Sequence, residues 1–270
     1  MNTTDTFEAI KRKLRQKFSQ EQRHQLRRYL AEPLSYIYRR NLRRLAQIYG
    51  SDKWGNHWYC QHYERHFSEM RNKPLTLLEI GIGGYDDPRS GGRSLRMWRR
   101  YFRRGRIYGI DLADKSPHNA RRIRTFRGDQ TDCEFLCQVI AEIGKPDIII
   151  DDGSHINSHV ISTFEFLFPL LADNGVYVVE DTQTSYWPEF GGSSEGHMSA
   201  RTSMGFLKGL IDGLNHAEYK RSNFIPCYYD KWIVSMHFYH NLVFVYKGMN
   251  NEQTNDWDGR NRVKRPSGDV

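Results

Sequence analysis

The chain has 270 residues, of which 38% are apolar and 13% aromatic, and this composition can bury one sizeable core with small accessory segments. Its four cysteines form no CxxC pair, so neither a zinc ribbon nor a disulfide framework is indicated. No stretch approaches the roughly 20 apolar residues of a membrane-spanning helix, and the polar start lacks the pattern of a secretion signal. We therefore expect a cytoplasmic protein with one main domain.

The positive charge is concentrated at the start of the chain. Residues 1–50 hold twelve basic and four acidic side chains, which accounts for the whole formal charge of +8. A basic arm can meet nucleic acid, an anionic membrane surface or an acidic neighbouring subunit. We favour a solvated helical face and do not expect nucleic acid as a partner, because no RNA-binding aromatic signature or DNA-reading motif accompanies the arm.

Apolar residues at helical spacing predict two or three helices in residues 1–48. A capping-box pattern begins at Asp5, a second helix is interrupted by Pro33, and Leu42 and Ile48 mark a third. These apolar stripes are too narrow to form a core alone, so they should pack on the main body or on a second copy of the chain. We expect a basic helical segment over 1–48 and a homo-oligomer.

From residue 75 onward, short apolar runs alternate with helical stretches. The predicted strands are Leu75–Gly81, Arg106–Leu112, Ile123–Gly128, Asp147–Asp151 and Val176–Glu180, and the helices between them are Ser94–Tyr101, Cys133–Ile143 and Ser158–Leu171. Because parallel strands need crossover helices, this order predicts a doubly wound, mostly parallel α/β sheet. Segments Trp232–Tyr239 and Leu242–Tyr246 predict an antiparallel C-terminal hairpin. The main domain should span 49–250, followed by a polar, flexible tail over 251–270.

Glycines follow the first predicted strand. Glu79 is followed by Gly81, Gly83 and Gly84, which let the backbone turn tightly and approach a ligand. The glycine that a dinucleotide fingerprint requires three residues after the second of these is absent, so pyrophosphate binding is disfavoured. A nucleoside with a cationic amino-acid tail fits better, and Asp111 can accept hydrogen bonds from ribose hydroxyls. The alternative is an ordinary turn without a ligand.

Carboxylates end the fourth and fifth predicted strands. Asp151 and Asp152 follow the fourth, and Glu180 and Asp181 follow the fifth, at neighbouring strand ends of a doubly wound sheet. Carboxylates so close need cationic partners, raised pKa values or a metal ion, and oxygen ligands favour Mg²⁺ or Mn²⁺. His155 is placed to act as a general base toward a substrate diol chelated by the ion. The alternative is a set of helix caps and loop residues.

Several separated blocks of the sequence resemble one family. The blocks are YGSDKW from Tyr49, then His57, Tyr59 and Tyr63, and the later runs LEIGIGGYDDP, IDDGSHINSHV and VVEDTQTSYW. Over residues 49–247 they are similar to the metal-dependent sugar O-methyltransferases of macrolide biosynthesis, of the mycinamicin 2''-O-methyltransferase type, and to rhamnosyl O-methyltransferases. The resemblance implies a Rossmann-like class I methyltransferase fold with S-adenosylmethionine as the methyl donor.

The resemblance also implies roles for individual residues. Asp152, Glu180 and Asp181 match the family's magnesium ligands, and His155 matches its catalytic base. The expected contacts with S-adenosylmethionine fall on Glu79, Gly81, Gly83, Gly84, Asp111, Asp129, Gln130 and Asp151. We also expect the loops Tyr85–Gly92 and Tyr186–Gly192 to cover the site.

The function expected from these residues is methylation of a hydroxyl on a small-molecule glycoside. The acceptor would be a rhamnose-like deoxysugar of a glycosylated natural product or glycolipid, with Mg²⁺ or Mn²⁺ as the ion. One alternative is a non-sugar antibiotic, phenolic or lipid-linked acceptor, as in the related cephamycin-biosynthesis proteins. Another is a non-catalytic protein that binds nucleic acid or a membrane through its basic N-terminus. The macrolide enzymes carry a larger N-terminal auxiliary domain, whereas only about 48 basic residues precede the matching blocks here.

Overall fold

The computed structural model describes residues 31–195, 201–221 and 223–254. The helices predicted before residue 31, and most of the predicted tail, lie outside these ranges. By its internal packing the chain divides into two units, Met1–Asp129 and Gln130–Val270. Within the described ranges, no helix has both the length and the apolar character needed to cross a membrane.

The first unit contains three parallel strands. Its elements in chain order are helical residues 31–37, α1 (Leu42–Tyr49), α2 (Cys60–Phe67), β1 (Thr76–Ile80), α3 (Arg93–Tyr101), β2 (Arg106–Asp111), a 3-10 helix (Ser116–His118) and β3 (Ile123–Arg127). The strand order is β3-β2-β1, and Ile107 of β2 pairs with Leu77 of β1 and with Ile123 of β3. Because the three strands run in the same direction, the residues that follow them leave the sheet at one edge.

Aromatic side chains form much of the core of this unit. Tyr63 and Phe67 of α2 pack on Trp98 of α3, with ring centroids 5.0 and 6.2 Å apart. All three side chains are fully buried. Helix α1, whose Leu42 and Leu45 are also buried, packs on α2 and α3. The third helix predicted in the N-terminal segment is therefore present, and it packs within this unit.

The second unit contains two parallel strands and an antiparallel hairpin. Its elements in chain order are α4 (Cys133–Ile143), β4 (Ile148–Asp151), α5 (Asn157–Leu170), β5 (Val176–Glu180), 3-10 helices at Thr182–Tyr186 and Pro188–Phe190, α6 (Ser203–Gly209), a 3-10 helix at Asp212–Glu218, α7 (Tyr228–Trp232), β6 (Ile233–Tyr239) and β7 (Leu242–Lys247). The strand order is β4-β5-β7-β6, with β4 parallel to β5 and β7 antiparallel to both of its neighbours.

Strands β4 and β5 are buried along their whole length. Their sequences are short, mostly apolar runs rich in Ile and Val, because both faces of a parallel sheet are covered. Phe164 of α5 packs on Tyr177 of β5 and on Phe168, in each case with ring centroids 4.9 Å apart. Since β4 and β5 are parallel, with Asp151 opposite Val179, the residues that follow them leave the sheet at the same edge.

The predicted fold class is confirmed. The first unit holds three parallel strands, and the second holds two parallel strands followed by an antiparallel hairpin. The predicted strand at Val176–Glu180 and the predicted helix at Cys133–Ile143 have the observed boundaries, and the other elements predicted from residue 75 onward differ only at their ends. The interruption predicted at Pro33 is wrong, because residues 31–37 are helical and include this proline. The domain boundaries predicted at residues 48 and 250 stay predictions.

Candidate functional site

Two carboxylates and an imidazole converge after strands β4 and β5. Asp152 and His155 follow β4, and Asp181 follows β5. His155 Nε2 lies 3.9 Å from Asp152 Oδ1 and 3.7 Å from Asp181 Oδ2, and the three side chains are between 16% and 23% exposed. One potential ligand atom from each lies within 4.8 Å of the others, and no second such group occurs in residues 31–195, 201–221 and 223–254. We call this set of three partly exposed side chains the triad.

Two members of the triad have a left-handed backbone. The φ angle is 57° at His155 and 53° at Asp181. A residue with a side chain is held in this region at a cost on the order of 1–3 kcal/mol, and only where surrounding contacts enforce it. At both strand ends the unusual conformation therefore falls on a residue whose side chain belongs to the triad.

The donor set of the triad suits a hard divalent cation. Carboxylate oxygens are the usual protein ligands of Mg²⁺ and Mn²⁺, whereas imidazole favours softer metals. Asp152 and Asp181 repel each other when both are ionised, and a cation between them removes that repulsion. The residues thus fit an ion held by the two carboxylates, with His155 beside them.

Glu180, the third predicted metal ligand, is not part of the triad. It is the last residue of β5, where it pairs with Leu242 of β7, and it is 3% exposed. Its carboxylate does not meet the 4.8 Å separation that joins the other three side chains. Its role as a ligand stays a prediction.

Asp151 and Gln130, predicted to contact the cofactor, form a buried network. Gln130 Nε2 donates to Asp151 Oδ1 at 3.4 Å, and the Tyr177 hydroxyl donates to Asp151 Oδ2 at 3.3 Å. Gln130 Oε1 accepts from the Ser154 amide at 2.8 Å. Burial raises the pKa of Asp151 to about 6. The bond from the Ser154 amide to Gln130 holds the loop that carries His155. The direct cofactor contact predicted for Gln130 and Asp151 stays a prediction.

The glycine turn after β1 closes tightly on itself. Gly81, Gly83 and Gly84 have φ angles of 87°, 75° and 81°. A Cβ atom on Gly84 would lie 2.3 Å from the Ser90 carbonyl carbon, and one on Gly91 would lie 2.1 Å from the Gly83 oxygen. Only glycine fits at these close approaches. The tight turn predicted from the sequence is present.

Asp111, at the end of β2, anchors this turn. Its Oδ2 accepts from the Ile82 amide and its Oδ1 from the Ala113 amide, both at 2.9 Å. A carboxylate oxygen can accept more than one hydrogen bond, so both oxygens retain acceptor capacity. Ribose binding by Asp111 stays a prediction, as does a cofactor contact by Asp129, which is exposed.

Glu79 belongs to a buried ion pair. It is fully buried, its Oε1 lies 3.4 Å from Lys53 Nζ, and the same oxygen accepts from Trp98 Nε1 at 3.2 Å. Its Oε2 accepts from Ser94 Oγ at 2.8 Å. Both oxygens have partners within the chain, and these contacts fix the end of β1, two residues before Gly81. The predicted contact of Glu79 with a cationic cofactor tail stays a prediction.

The loop Tyr85–Gly92, predicted to cover the site, is held by hydrogen bonds from a buried lysine. The buried Lys115 Nζ donates to the carbonyl oxygens of Tyr85, Asp87 and Ser90 at 2.6, 2.8 and 3.3 Å. One ammonium group has three donors, and here each has a backbone acceptor. The glycine-rich segment is thus fastened to the chain that follows β2, a contact that the sequence pattern did not reveal.

His118 fastens the same loop. Arg96 Nη1 lies 3.2 Å from His118 Nδ1, and His118 Nε2 lies 3.1 Å from the Ser90 carbonyl oxygen. Because the guanidinium can only donate, these contacts assign a neutral ring with its proton on Nε2. Burial lowers the pKa of His118, and the nearby charge of Arg96 acts in the same direction.

No protein-family model matches the chain, but individual proteins do. It is 53% identical over 207 residues to the 8-demethyl-8-alpha-L-rhamnosyl tetracenomycin-C 2'-O-methyltransferase of Streptomyces olivaceus, an alignment that covers 76% of this chain and 54% of the relative. It is 49% identical over 214 residues to the mycinamicin VI 2''-O-methyltransferase of Micromonospora griseorubida, covering 78% and 54%. The chain is a homologue of sugar O-methyltransferases.

Solved structures agree with this relationship. MycE methyltransferase of the mycinamycin pathway, in complex with Mg and SAH, superposes with a TM-score of 0.78 at 48% identity, covering 82% of this chain and 58% of that one. A further MycE complex holds Mg, SAH and mycinamycin VI, with a TM-score of 0.77. The resemblance predicted from the sequence blocks is confirmed. The chain spans about half the length of the curated relatives that it matches.

The buried pair of Lys53 and Glu79 should stabilise the first unit. Lys53→Met leaves the Glu79 carboxylate buried without its cation, so we expect the free energy of unfolding to fall by roughly 3–5 kcal/mol. Urea unfolding followed by circular dichroism measures this loss. The double variant Lys53→Met/Glu79→Gln should lose less than the sum of the two single variants, and strictly additive losses would contradict the coupling.

The lowered pKa of His118 should make stability depend on pH. The unfolded side chain binds a proton near pH 6.5, whereas the folded one resists protonation. The contribution of neutral His118 to the free energy of unfolding is therefore complete above pH 6.5 and is lost as the pH falls below that value. Between pH 7 and 5, the free energy of unfolding should fall more steeply for the natural chain than for His118→Asn. Parallel curves would disprove the assignment.

Proposed function

We propose that this chain transfers a methyl group from S-adenosylmethionine to a sugar hydroxyl, with a divalent ion at the triad. The observation that carries the proposal is the convergence of Asp152, His155 and Asp181 in an arrangement that offers two oxygen ligands and one proton acceptor. We infer that the acceptor is a rhamnose-like deoxysugar of a glycosylated natural product, since relatives are named for rhamnosyl and macrolide substrates.

The glycine turn supports the choice of methyl donor. At Gly83 an added Cβ would meet nothing within 4 Å, so the turn leaves room for a nucleoside there, and Asp111 keeps acceptor capacity beside that turn. The related MycE structures contain Mg together with SAH, which is the product that remains when S-adenosylmethionine loses its methyl group. We therefore assign Mg²⁺ or Mn²⁺ to the triad and S-adenosylmethionine to the glycine turn.

The residues of the triad divide the chemistry between them. S-adenosylmethionine supplies an electrophilic methyl group on sulfur, and the divalent ion supplies positive charge that makes a hydroxyl easier to deprotonate. Asp152 and Asp181 hold the ion. His155 Nε2 takes the hydroxyl proton while the new carbon–oxygen bond forms and the carbon–sulfur bond breaks. The two carboxylates, both less than 4 Å from that nitrogen, then stabilise the imidazolium.

The chain matches only about half of each curated relative. The identity of the acceptor and the oligomeric state are therefore proposed here and are not taken over from those relatives. A homo-oligomer is part of the proposal, with the second copy expected at the helices predicted before residue 31. A cytoplasmic location is part of the same proposal.

Cation binding is the most direct test of the triad. Calorimetric titration of the full chain with MnCl₂ should show binding, and Asp152→Asn should weaken it by more than roughly tenfold because one of two charged ligands is lost. Asp114→Asn is the matched control, since Asp114 is exposed and bonds to Ser116 of its own turn. If the natural chain gives no binding heat with MnCl₂, whether S-adenosylmethionine is present or not, the proposed function is wrong.

Replacing the base should separate chemistry from donor binding. His155→Ala should lower kcat for methylation of a rhamnosyl glycoside by roughly 10²–10⁴-fold, the usual contribution of a general base. The affinity for S-adenosylmethionine should stay unchanged. His240→Ala, at the exposed turn between β6 and β7, is the control. Unchanged turnover in His155→Ala would remove the role assigned to this residue.

A further inference from the structure

Asn157 ties the start of α5 to the segment after β5. It is the first residue of α5, two positions after His155, and it is 1% exposed. Its Nδ2 donates to the carbonyl oxygens of Thr184 and Phe190 at 3.1 and 2.9 Å. These two residues belong to the 3-10 helices that follow Asp181. A single buried amide thus holds two successive turns of that segment.

The oxygen of the same amide is also fully used. Asn157 Oδ1 accepts from Ser185 Oγ at 3.2 Å and from the Ser203 amide at 2.7 Å. The hydroxyl oxygens of Ser185 and Ser203 lie 2.8 Å apart, and the Met204 amide donates to Ser185 Oγ at 3.0 Å. With two donors and two acceptor sites occupied, the side chain has reached its hydrogen-bonding capacity. A buried network satisfied in this way specifies one arrangement of the segments that it joins.

Thr184, which is held by Asn157, is in turn hydrogen-bonded to Asp181. The carbonyl oxygen of Asp181 accepts from the Thr184 amide at 3.2 Å and from Thr184 Oγ1 at 3.1 Å. Asp181 has a left-handed backbone, which persists only where neighbouring contacts enforce it. The bonds from Asn157 to Thr184, and from Thr184 to Asp181, supply such contacts.

We propose that Asn157 is a positioning residue for the triad. It acts through the backbone and fixes the separation of His155, which precedes it on one loop, from Asp181, which begins the other. The inference rests on the proposed function insofar as the triad binds a divalent ion. Without the amide, the turn at Thr184 loses its anchor, Asp181 leaves its strained conformation more readily, and the ligand atoms spread apart.

Two substitutions separate the parts of the network. Asn157→Ala removes all four hydrogen bonds, whereas Asn157→Asp keeps the acceptors for Ser185 and Ser203 and loses both donors. Lys247→Met is the matched control, because the buried Lys247 Nζ donates to the Pro169 and Leu171 carbonyl oxygens, both at 2.7 Å, at the other end of α5. This control destabilises the same helix without touching the segment after β5.

The effect of each substitution is measured on the full chain by amide hydrogen exchange and by titration with Mn²⁺. In both Asn157 variants, amide exchange over residues 182–193 should rise roughly tenfold or more, because two hydrogen bonds that hold this segment are lost. The dissociation constant for Mn²⁺, measured by titration with MnCl₂, should rise roughly 10–100-fold. Lys247→Met should lower the melting temperature and leave both quantities unchanged.

Each result decides the inference. Unchanged exchange in the Asn157 variants, or an equal rise in Lys247→Met, would overturn it. So would unchanged Mn²⁺ affinity alongside raised exchange. If the natural chain binds no Mn²⁺, the proposed function fails, and the exchange comparison still decides whether Asn157 restrains the segment. If neither Asn157 variant folds, Thr184→Val, which removes only the hydroxyl bond to Asp181, decides the question by the same two measurements.

Discussion

The close approach of two carboxylates is the feature on which the candidate site of the second unit depends. Because β4 and β5 pair in parallel, Asp152 and Asp181 leave the sheet at the same edge. The backbone at Asp181 and at His155 is left-handed where these side chains come together. Such an arrangement is unfavourable unless a cation or a proton relieves it. The hydrogen-bond networks around it, with Gln130 on one loop and Asn157 on the other, keep the charged groups from separating.

Buried lysines play a corresponding part in holding backbone turns. Lys115 binds three carbonyl oxygens of the loop after the glycine turn, and Lys247 binds two at the end of α5. Lys53 instead pairs with the carboxylate of Glu79. In each case the desolvation of the ammonium group is offset by acceptors in fixed positions. The contacts of Lys53 and Lys115 give the glycine turn and the loop after it a rigid support, which precise alignment of reacting groups requires.

The relationship to sugar O-methyltransferases gives the geometry its chemical context. The shared portion includes both the glycine turn and the triad, since the alignments cover about three quarters of the chain. A methyl transfer between two bound molecules depends mainly on alignment, and a divalent ion that orients a diol serves that purpose. The left-handed residues are consistent with this demand, because strain of this kind is found where function needs an otherwise unfavourable geometry.

The sequence by itself determined the strands, the glycine turn and the residues of the triad. Alternation of short apolar runs with helical stretches reports burial, which is a local property, and the ends of parallel strands must meet at one edge. Only the tertiary structure showed that Glu79 and Asp151 are buried, and that Asn157 joins two loops. The partners of Asn157 lie between 27 and 46 positions away, and nothing in the local pattern specifies contacts at that separation.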